Sequence, residues 1–426
     1  MAEFSLPYGR GDLSVSLPDE WQVELLAPRQ APALSNPSAA VNQALENPIG
    51  QRRLSDFTGV RSAAIAINDK TRPVPHGDLL PPLLRRLEAS GLPPQAITLL
   101  IATGGHAPMS PDEFDEIVPA DLLKRYPVLS HDANASASLT HLGKTQRGTP
   151  VWINRQFVEA DLRIVVGNIE PHQFMGFSGG VKSAAIGLAG KETINHNHAI
   201  MAEDRARLGH FDDNPARQDV EEMGRLIGVH FALNAILNQA KGIVNVVAGE
   251  PAAVIREGIP LVRALYEVRV SAPFDIMIVS PGGHPKDINL YQSQKGLAHA
   301  TLVTKEGGTI ILVAACPEGA GSQSYERWMA GMTSYDAVFE RFEREGFRVG
   351  PHKAFQIARD ATRAQVFLVS EMRPDLVRRL LLMPAGSLEE AIALTRDSLP
   401  PRVRVGVMPW ANATIPVLWP IPSPKS

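Results

Sequence analysis

The segment from Gly167 to Lys182 places His172, a Ser178-Gly179-Gly180 turn and Lys182 directly after a strand-like run, and His198 follows in the same stretch. Glycines at 176, 179 and 180 allow close backbone approach to a ligand. Successive amides in such a turn form an anion-binding concavity, to which Lys182 adds a point charge. Alone, that describes a phosphate or nucleotide cradle; histidines beside it add metal binding or proton transfer. His106 sits in the glycine turn Thr103 to Pro108, where packing gives an imidazole nothing to do, and His172 follows Glu170-Pro171. His196 and His198 are two apart and face different ways on a helix, so they are not a helical ligand pair. Lys182 suits a phosphate anchor or a covalent cofactor link. Arg72, in the turn Asp69 to Pro73, offers a planar fork to a carboxylate or phosphate, or an ordinary surface salt bridge. Gln292 and Lys295 are three apart and share a helix face, from which they could hold a small hydroxy acid. His284, His299 and His352 are weaker candidates.

Positioning these groups takes strands and turns. Apolar, β-branched runs begin near Ala63, Ile97, Leu162, Phe274, Gly308, Gln365 and Val403. Their near-continuous hydrophobicity suits strands buried on both faces of a parallel sheet. Helical patterns separate many of them: Leu79 to Gly91, with Pro81 and Pro82 near the start, a stretch around Glu221 to Leu226, and Glu250 to Leu265. The polar clusters mostly follow strands, where open α/β sheets bind ligands. The expectation is an α/β chain of two Rossmann-like domains with the active site in the interdomain cleft. The first domain would span residues 1–270 and the second 273–395, with the proline-rich tail, about 400–426, crossing back to the first.

With 426 residues the chain is long enough for two domains. A net charge of -3 gives no footprint for nucleic acid. Apolar runs are too short to span a membrane, and the N-terminus lacks a signal-peptide pattern. The single cysteine, Cys316, excludes an intrachain disulfide and a cysteine-rich zinc site. There is no P-loop, and no complete dinucleotide fingerprint follows the first strand. A cytoplasmic enzyme is expected.

Five motifs in order resemble the nickel-pincer nucleotide-dependent lactate racemase family. They are Asp69-x-Thr71-Arg72-Pro73, Ala102-Thr103-Gly104-Gly105-His106, Glu170-Pro171-His172 through Ser178-Gly179-Gly180-x-Lys182, Glu192-Thr193-Ile194-x-x-Asn197-His198, and Tyr291-Gln292-x-x-Lys295. The resemblance implies an isomerase that racemises or epimerises a 2-hydroxy carboxylic acid. It implies a cofactor in which nickel is held by a pyridinium-derived, dithiolated mononucleotide, made by separate cofactor-synthesis enzymes. By that resemblance Lys182 tethers the cofactor and His198 binds nickel. His106 and His172 are then the acid/base pair. Asp69, Thr71, Arg72, Ser178, Gly179 and Gly180 fall in the cofactor-binding turns. Arg72, Tyr291, Gln292, Lys295 and Phe355 fall at substrate-contacting positions.

The chemistry implied is reversible hydride transfer from carbon 2, which avoids a carbanion beside a carboxylate. One histidine takes the hydroxyl proton, the flat 2-keto acid turns over, and a histidine returns the proton. Two departures bear on the substrate and the cofactor turn. Ile186-Gly187 stands where the family often has proline-glycine, and Phe355 replaces an aromatic wall residue that is tryptophan in the lactate enzyme. Lactate, malate, aromatic hydroxy acids and longer sugar acids such as gluconate therefore stay open as substrates. A reading from another class is a nucleotide- or phosphate-binding protein without turnover.

Overall fold

The computed structural model describes residues 2–50, 52–395, 399–400 and 402–419. They fall into two compact units, one of residues 30–265 and the other of the segments before 30 and after 265.

The 30–265 unit is built on a six-stranded sheet. Its order is Ile243–Gly249, Phe231–Leu237, Leu162–Asn168, Ala63–Asn68, Ile97–Ala102, Val128–Ser130. All neighbours are parallel except the antiparallel pair 231–237 and 243–249. Residues 63–67 are buried without a break, as a strand covered on both faces requires. Ile65, Ile67, Leu99, Ile101, Ile164 and Val166 pack against Leu79, Leu80, Leu83 and Leu87. Those leucines belong to the helix His76–Ala89, which starts earlier than the sequence suggests. Pro81 and Pro82 consequently lie inside it, where burial of its leucine face outweighs the backbone bonds that proline removes.

From the 63–68 strand the chain adds strands on one side, then returns to the 162–168 strand and extends the sheet on the other. The crevice beyond the carboxyl ends of these two central strands is the topological switch point, where such sheets bind ligands. Asp69 to Arg72 and Asn168 to Lys182 begin there.

The other unit has its own six-stranded parallel sheet. Its order is Met383–Ala385, Ala364–Val369, Thr304–Val313, Phe274–Val279, Arg404–Met408, Gln22–Leu25. Alternate residues feed opposite cores: Met277, Val279, Ile310 and Leu312 one, and Ile276, Ile278, Ile311, Val313, Val405 and Val407 the other. Two expectations are corrected here. The 404–408 strand pairs with Ile276 to Val279, so the tail completes this sheet instead of crossing to the first domain. The 22–25 strand pairs in turn with 404–408, so the N-terminal segment also belongs to this unit. Residues 420–426 of the tail lie outside the described residues. Among the described residues no helix is long and apolar enough to cross a membrane.

Candidate functional site

Asn68, the last residue of its strand, donates through Nδ2 to Asn168 Oδ1 at 3.3 Å and so ties the two central strand ends together. The next residue, Asp69, is 3 % exposed. Its Oδ1 accepts from Thr71 N at 3.2 Å and Thr71 Oγ1 at 2.8 Å, closing the turn that holds Arg72 at the surface. Its Oδ2 lies 2.7 Å from His106 Nδ1. Burial pushes the Asp69 carboxyl up, but the bonds from His106 and Thr71 and the charges of His106 and Arg72 outweigh it and hold the pKa below its ordinary value. A carboxylate only accepts, so Nδ1 of His106 carries the hydrogen and Nε2 is left basic.

His172 has the opposite polarity. Residues 171–172 pair with 176–177 in a short antiparallel hairpin, and Met175 N donates to His172 Nδ1 at 3.3 Å. With Nδ1 accepting, the neutral ring keeps its hydrogen on Nε2. Phe174 stands edge-on between two imidazoles, its centroid 4.9 Å from His172 and 5.1 Å from His198.

The glycine turn behaves differently from the open amide cradle expected of it. Ser178 N donates to Glu170 O, and Gly180 N donates to Asn234 Oδ1, both at 2.8 Å. The Ser178 hydroxyl is also engaged, 3.1 Å from Glu170 N and 3.2 Å from Asn168 O. Those donors are committed within the fold, so Ser178, Gly179 and Gly180 shape the loop that carries Lys182. Gly179 has φ +82°, and a Cβ there would lie 2.6 Å from Ile169 Cγ1. Gly176 is tighter still: with φ +71°, a Cβ would fall 1.6 Å from His210 O.

Arg217 supports this loop from below, and nothing in the motifs pointed to it. It is fully buried on the helix Pro215–Ile227. Nη1 donates to Phe177 O at 3.0 Å, and Nη2 donates to Gly179 O at 3.1 Å and to Glu221 Oε1 at 2.6 Å. Its signal in the sequence is an arginine–glutamate pair four apart interleaved with Ala216, Val220 and Met223.

Lys182 opens the short helix Lys182–Ala185, and His198 lies near the end of the helix Lys191–Ala199. Burial and then the Lys182 charge push the His198 pKa down to about 3, against a bond from its ring to the Ile194 carbonyl. The ring is therefore neutral at pH 7, with one nitrogen donating to Ile194 and the other carrying a lone pair. His196, two residues earlier, faces solvent with Nδ1 3.0 Å from Thr149 Oγ1. Glu170 completes the electrostatics. Burial raises its pKa, but Lys241, Arg72, a bond from Asn168 and Lys182 together bring it below its ordinary value. Hydrogen bonds, ring contacts and charge thus link Asp69, Thr71, Arg72, His106, His172, Lys182 and His198 at one edge of one sheet.

The other unit carries the remaining candidates. On the helix Leu290–Ala300, Lys295 Nζ donates to Gln292 Oε1 at 2.7 Å, the shared face expected from their spacing. The Tyr291 ring has Lys353 Nζ 4.8 Å from its centroid and His352 edge-on at 5.7 Å. Phe355, expected as a pocket wall, is partly exposed and also packs on neighbouring helices, stacked on Phe342 at 4.6 Å and edge-on to Phe339 at 5.7 Å. Of the weaker histidines, His299 is buried against the Ala411 and Thr414 carbonyls, and His284 lies 3.5 Å from Arg10 Nη2.

Among the described residues, no group of three or more His, Cys, Asp or Glu side chains could hold a metal ion. The donor set at the first unit's site is one neutral, half-buried imidazole beside a lysine. That suits a metal whose other ligands arrive with an organic group, and does not suit an ion caged by protein alone.

Comparison with known proteins gives consistent matches. Residues 8–209 match the family model described as the lactate racemase N-terminal domain, and residues 270–415 the lactate racemase C-terminal domain. A lactate racemase from Thermoanaerobacterium thermosaccharolyticum is 32% identical over 418 residues, covering 96% of this chain and 98% of that protein. One from Lactiplantibacillus plantarum is 32% identical over 416 residues, covering 95% and 98%. The solved structure of the lactate racemase apoprotein from T. thermosaccharolyticum superposes with a TM-score of 0.91 at 31% identity, covering 97% of this chain and all of that one. A Thermotoga maritima protein, 18% identical with a TM-score of 0.67 over 90% of this chain, shares the fold.

Proposed function

The chain belongs to the lactate racemase family and is an isomerase, and from that premise we propose that it inverts carbon 2 of a lactate-like 2-hydroxy carboxylic acid. His106 and His172 are the proton-handling pair, and Lys182 and His198 hold a nickel-pincer nucleotide. Family membership as an isomerase sets aside the reading without turnover. The observation that carries the proposal is the opposite polarity of the two histidines. Asp69 Oδ2 holds His106 Nδ1 at 2.7 Å and leaves Nε2 as a base, while Met175 N at 3.3 Å on His172 Nδ1 leaves that ring presenting Nε2–H.

The Asp69 carboxylate stabilises the imidazolium that forms when His106 takes the substrate's hydroxyl proton, as a carboxylate does in other histidine dyads. To return a proton to the same oxygen presented from the other side, His172 acts as the imidazolium: Nδ1 gives up the bond from Met175 and carries a hydrogen, Nε2 delivers its own, and the ring ends neutral. The Met175 bond, at the long end for a hydrogen bond, gives way easily when His172 must itself accept. Arg72, exposed at the end of its turn, supplies a cation for the substrate carboxylate. When bound, the cofactor supplies the hydride acceptor and donor. The single neutral imidazole of His198 and the adjacent ammonium of Lys182 fit it as ligand and tether. A solved relative described as an apoprotein agrees with a group that is loaded separately from the chain.

The test is a chiral assay on nickel-loaded protein, offering single enantiomers of lactate, malate, phenyllactate and gluconate without added NAD. Interconversion of one substrate is expected, with its rate lowered by about 100-fold or more in His106→Ala and in His172→Ala at unchanged nickel content. Unchanged turnover in either variant rules out the assigned acid/base role.

A further inference from the structure

The helix Lys191–Ala199 has nine residues and no side-chain N-cap, too short to be stable alone, so tertiary contacts decide where it sits. Its buried positions include Thr193, Ile194 and Asn197, and two of these three are polar. Apolar contact is non-directional and lets a helix roll about its axis. Hydrogen bonds fix both the azimuth and the register.

At the start of the helix, Thr193 Oγ1 donates to Pro150 O at 2.7 Å and accepts from Trp152 N at 3.0 Å. One turn later, Asn197 Nδ2 donates to Ala216 O at 3.0 Å and to Asp219 Oδ2 at 2.9 Å. Asn197 is 0 % exposed and Asp219 1 %. Thr149 Oγ1 also donates to Asp219 Oδ2, at 2.8 Å, and stands 3.0 Å from His196. The bond from Asn197 Nδ2 to Asp219 Oδ2 is thus one corner of a buried network whose other members are Ala216 O and Thr149 Oγ1, tying this helix to the helix Pro215–Ile227.

We propose that Asn197 and Asp219 are positioning residues for His198: together they fix the rotation of its helix, and so set the orientation in which the imidazole is presented beside Phe174. The inference rests on the role proposed for His198. Ligand geometry is productive only within about 0.5 Å and 10–20°, so a small roll of this helix matters. Outer partners of a ligating histidine commonly change metal affinity by about 10–100-fold when removed.

The experiment measures nickel retained per chain by the loaded enzyme after dialysis, and the His198 ring 15N resonances of the full chain. Asn197→Ala and Asp219→Leu are expected to lower nickel retention by about 10–100-fold and to blur the single-tautomer ring pattern. Asp219→Asn keeps an acceptor oxygen and is expected to restore both. If Asn197→Ala fails to fold, Asn197→Ser, with a shorter donor, is read the same way. Wild-type nickel retention and unchanged ring resonances in the folded Asn197 variant overturn the proposal. A wild-type chain that never takes up the cofactor defeats the functional reading instead, and the ring resonances still decide the positioning.

Discussion

Arg217→Met removes the side chain that holds the glycine loop while keeping most of its volume. The loss leaves the Glu221 carboxylate buried without its cation, and the carbonyls of Phe177 and Gly179 without this donor. Breaking a buried ion pair from one side costs about 3–5 kcal/mol, and each carbonyl left without a donor adds about 1 kcal/mol or more. About 5 kcal/mol is a large share of the 5–15 kcal/mol typical of a folded domain. For a unit of this size the melting temperature should fall by about 10–20 °C. Arg217→Met combined with Glu221→Leu removes the stranded charge and should recover most of that loss, because an apolar pair of similar volume is often no worse than the ion pair. The loop carbonyls still lack their donor, so hydrogen exchange across residues 176–181 should stay fast and cofactor retention poor. Calorimetry follows each transition separately, since two units need not unfold together. A single variant that melts within 2–3 °C of wild type, or a double variant with full cofactor retention, refutes this account of Arg217.

Two further outcomes are expected. Gly176→Ala and Gly59→Ala share the backbone cost of a positive φ, about 1–2 kcal/mol, but only the Cβ at 176 meets a carbonyl oxygen, at 1.6 Å, while that at 59 meets nothing within 4 Å; melting should show Gly176→Ala markedly worse, and equal losses would refute the packing argument. Burial pushes His76 and His299 down to about 4, and burial with Lys182 pushes His198 down to about 3, from 6.5. These rings stay neutral when folded but take up protons when unfolded, so their stabilisation is complete above pH 6.5 and is lost below it, by about 1.4 kcal/mol per pH unit for each histidine. Melts between pH 7 and 4.5 should show that slope, and it should be shallower in His76→Asn and His299→Asn; an unchanged slope would refute the assignment.

The central strands were legible because burial on both faces leaves an unbroken apolar run, as at Ala63 to Ile67 and Phe274 to Val279. The 22–25 strand was not, since an edge strand with half-exposed side chains carries no such run. Loop histidines stood out because packing gives them no purpose in glycine turns. The pairing of Gln292 with Lys295 followed from helical spacing. Arg217 and Asp219 were hidden because a charged residue on a helix reads as solvated until the partners on neighbouring elements are known. The ring contacts of Phe355 with Phe339 and Phe342 were likewise hidden, since they join residues of different helices. The Ser178-Gly179-Gly180 turn signalled special backbone correctly, but sequence could not tell whether its amides faced a ligand or the fold.

The second unit's sheet joins the 22–25 strand to the 404–408 strand, and the Glu24–Arg404 ion pair spans 380 positions of chain. During synthesis the 30–265 segment emerges whole before that partner exists, so it can collapse on its own while the early strand waits on the ribosome with an open edge. The host sheet closes last, once its late strands have emerged. A slow or stalled ribosome near the 3′ end of the message would therefore prolong exposure of the second unit and spare the first, making late-translation kinetics the point at which this protein is most exposed to aggregation.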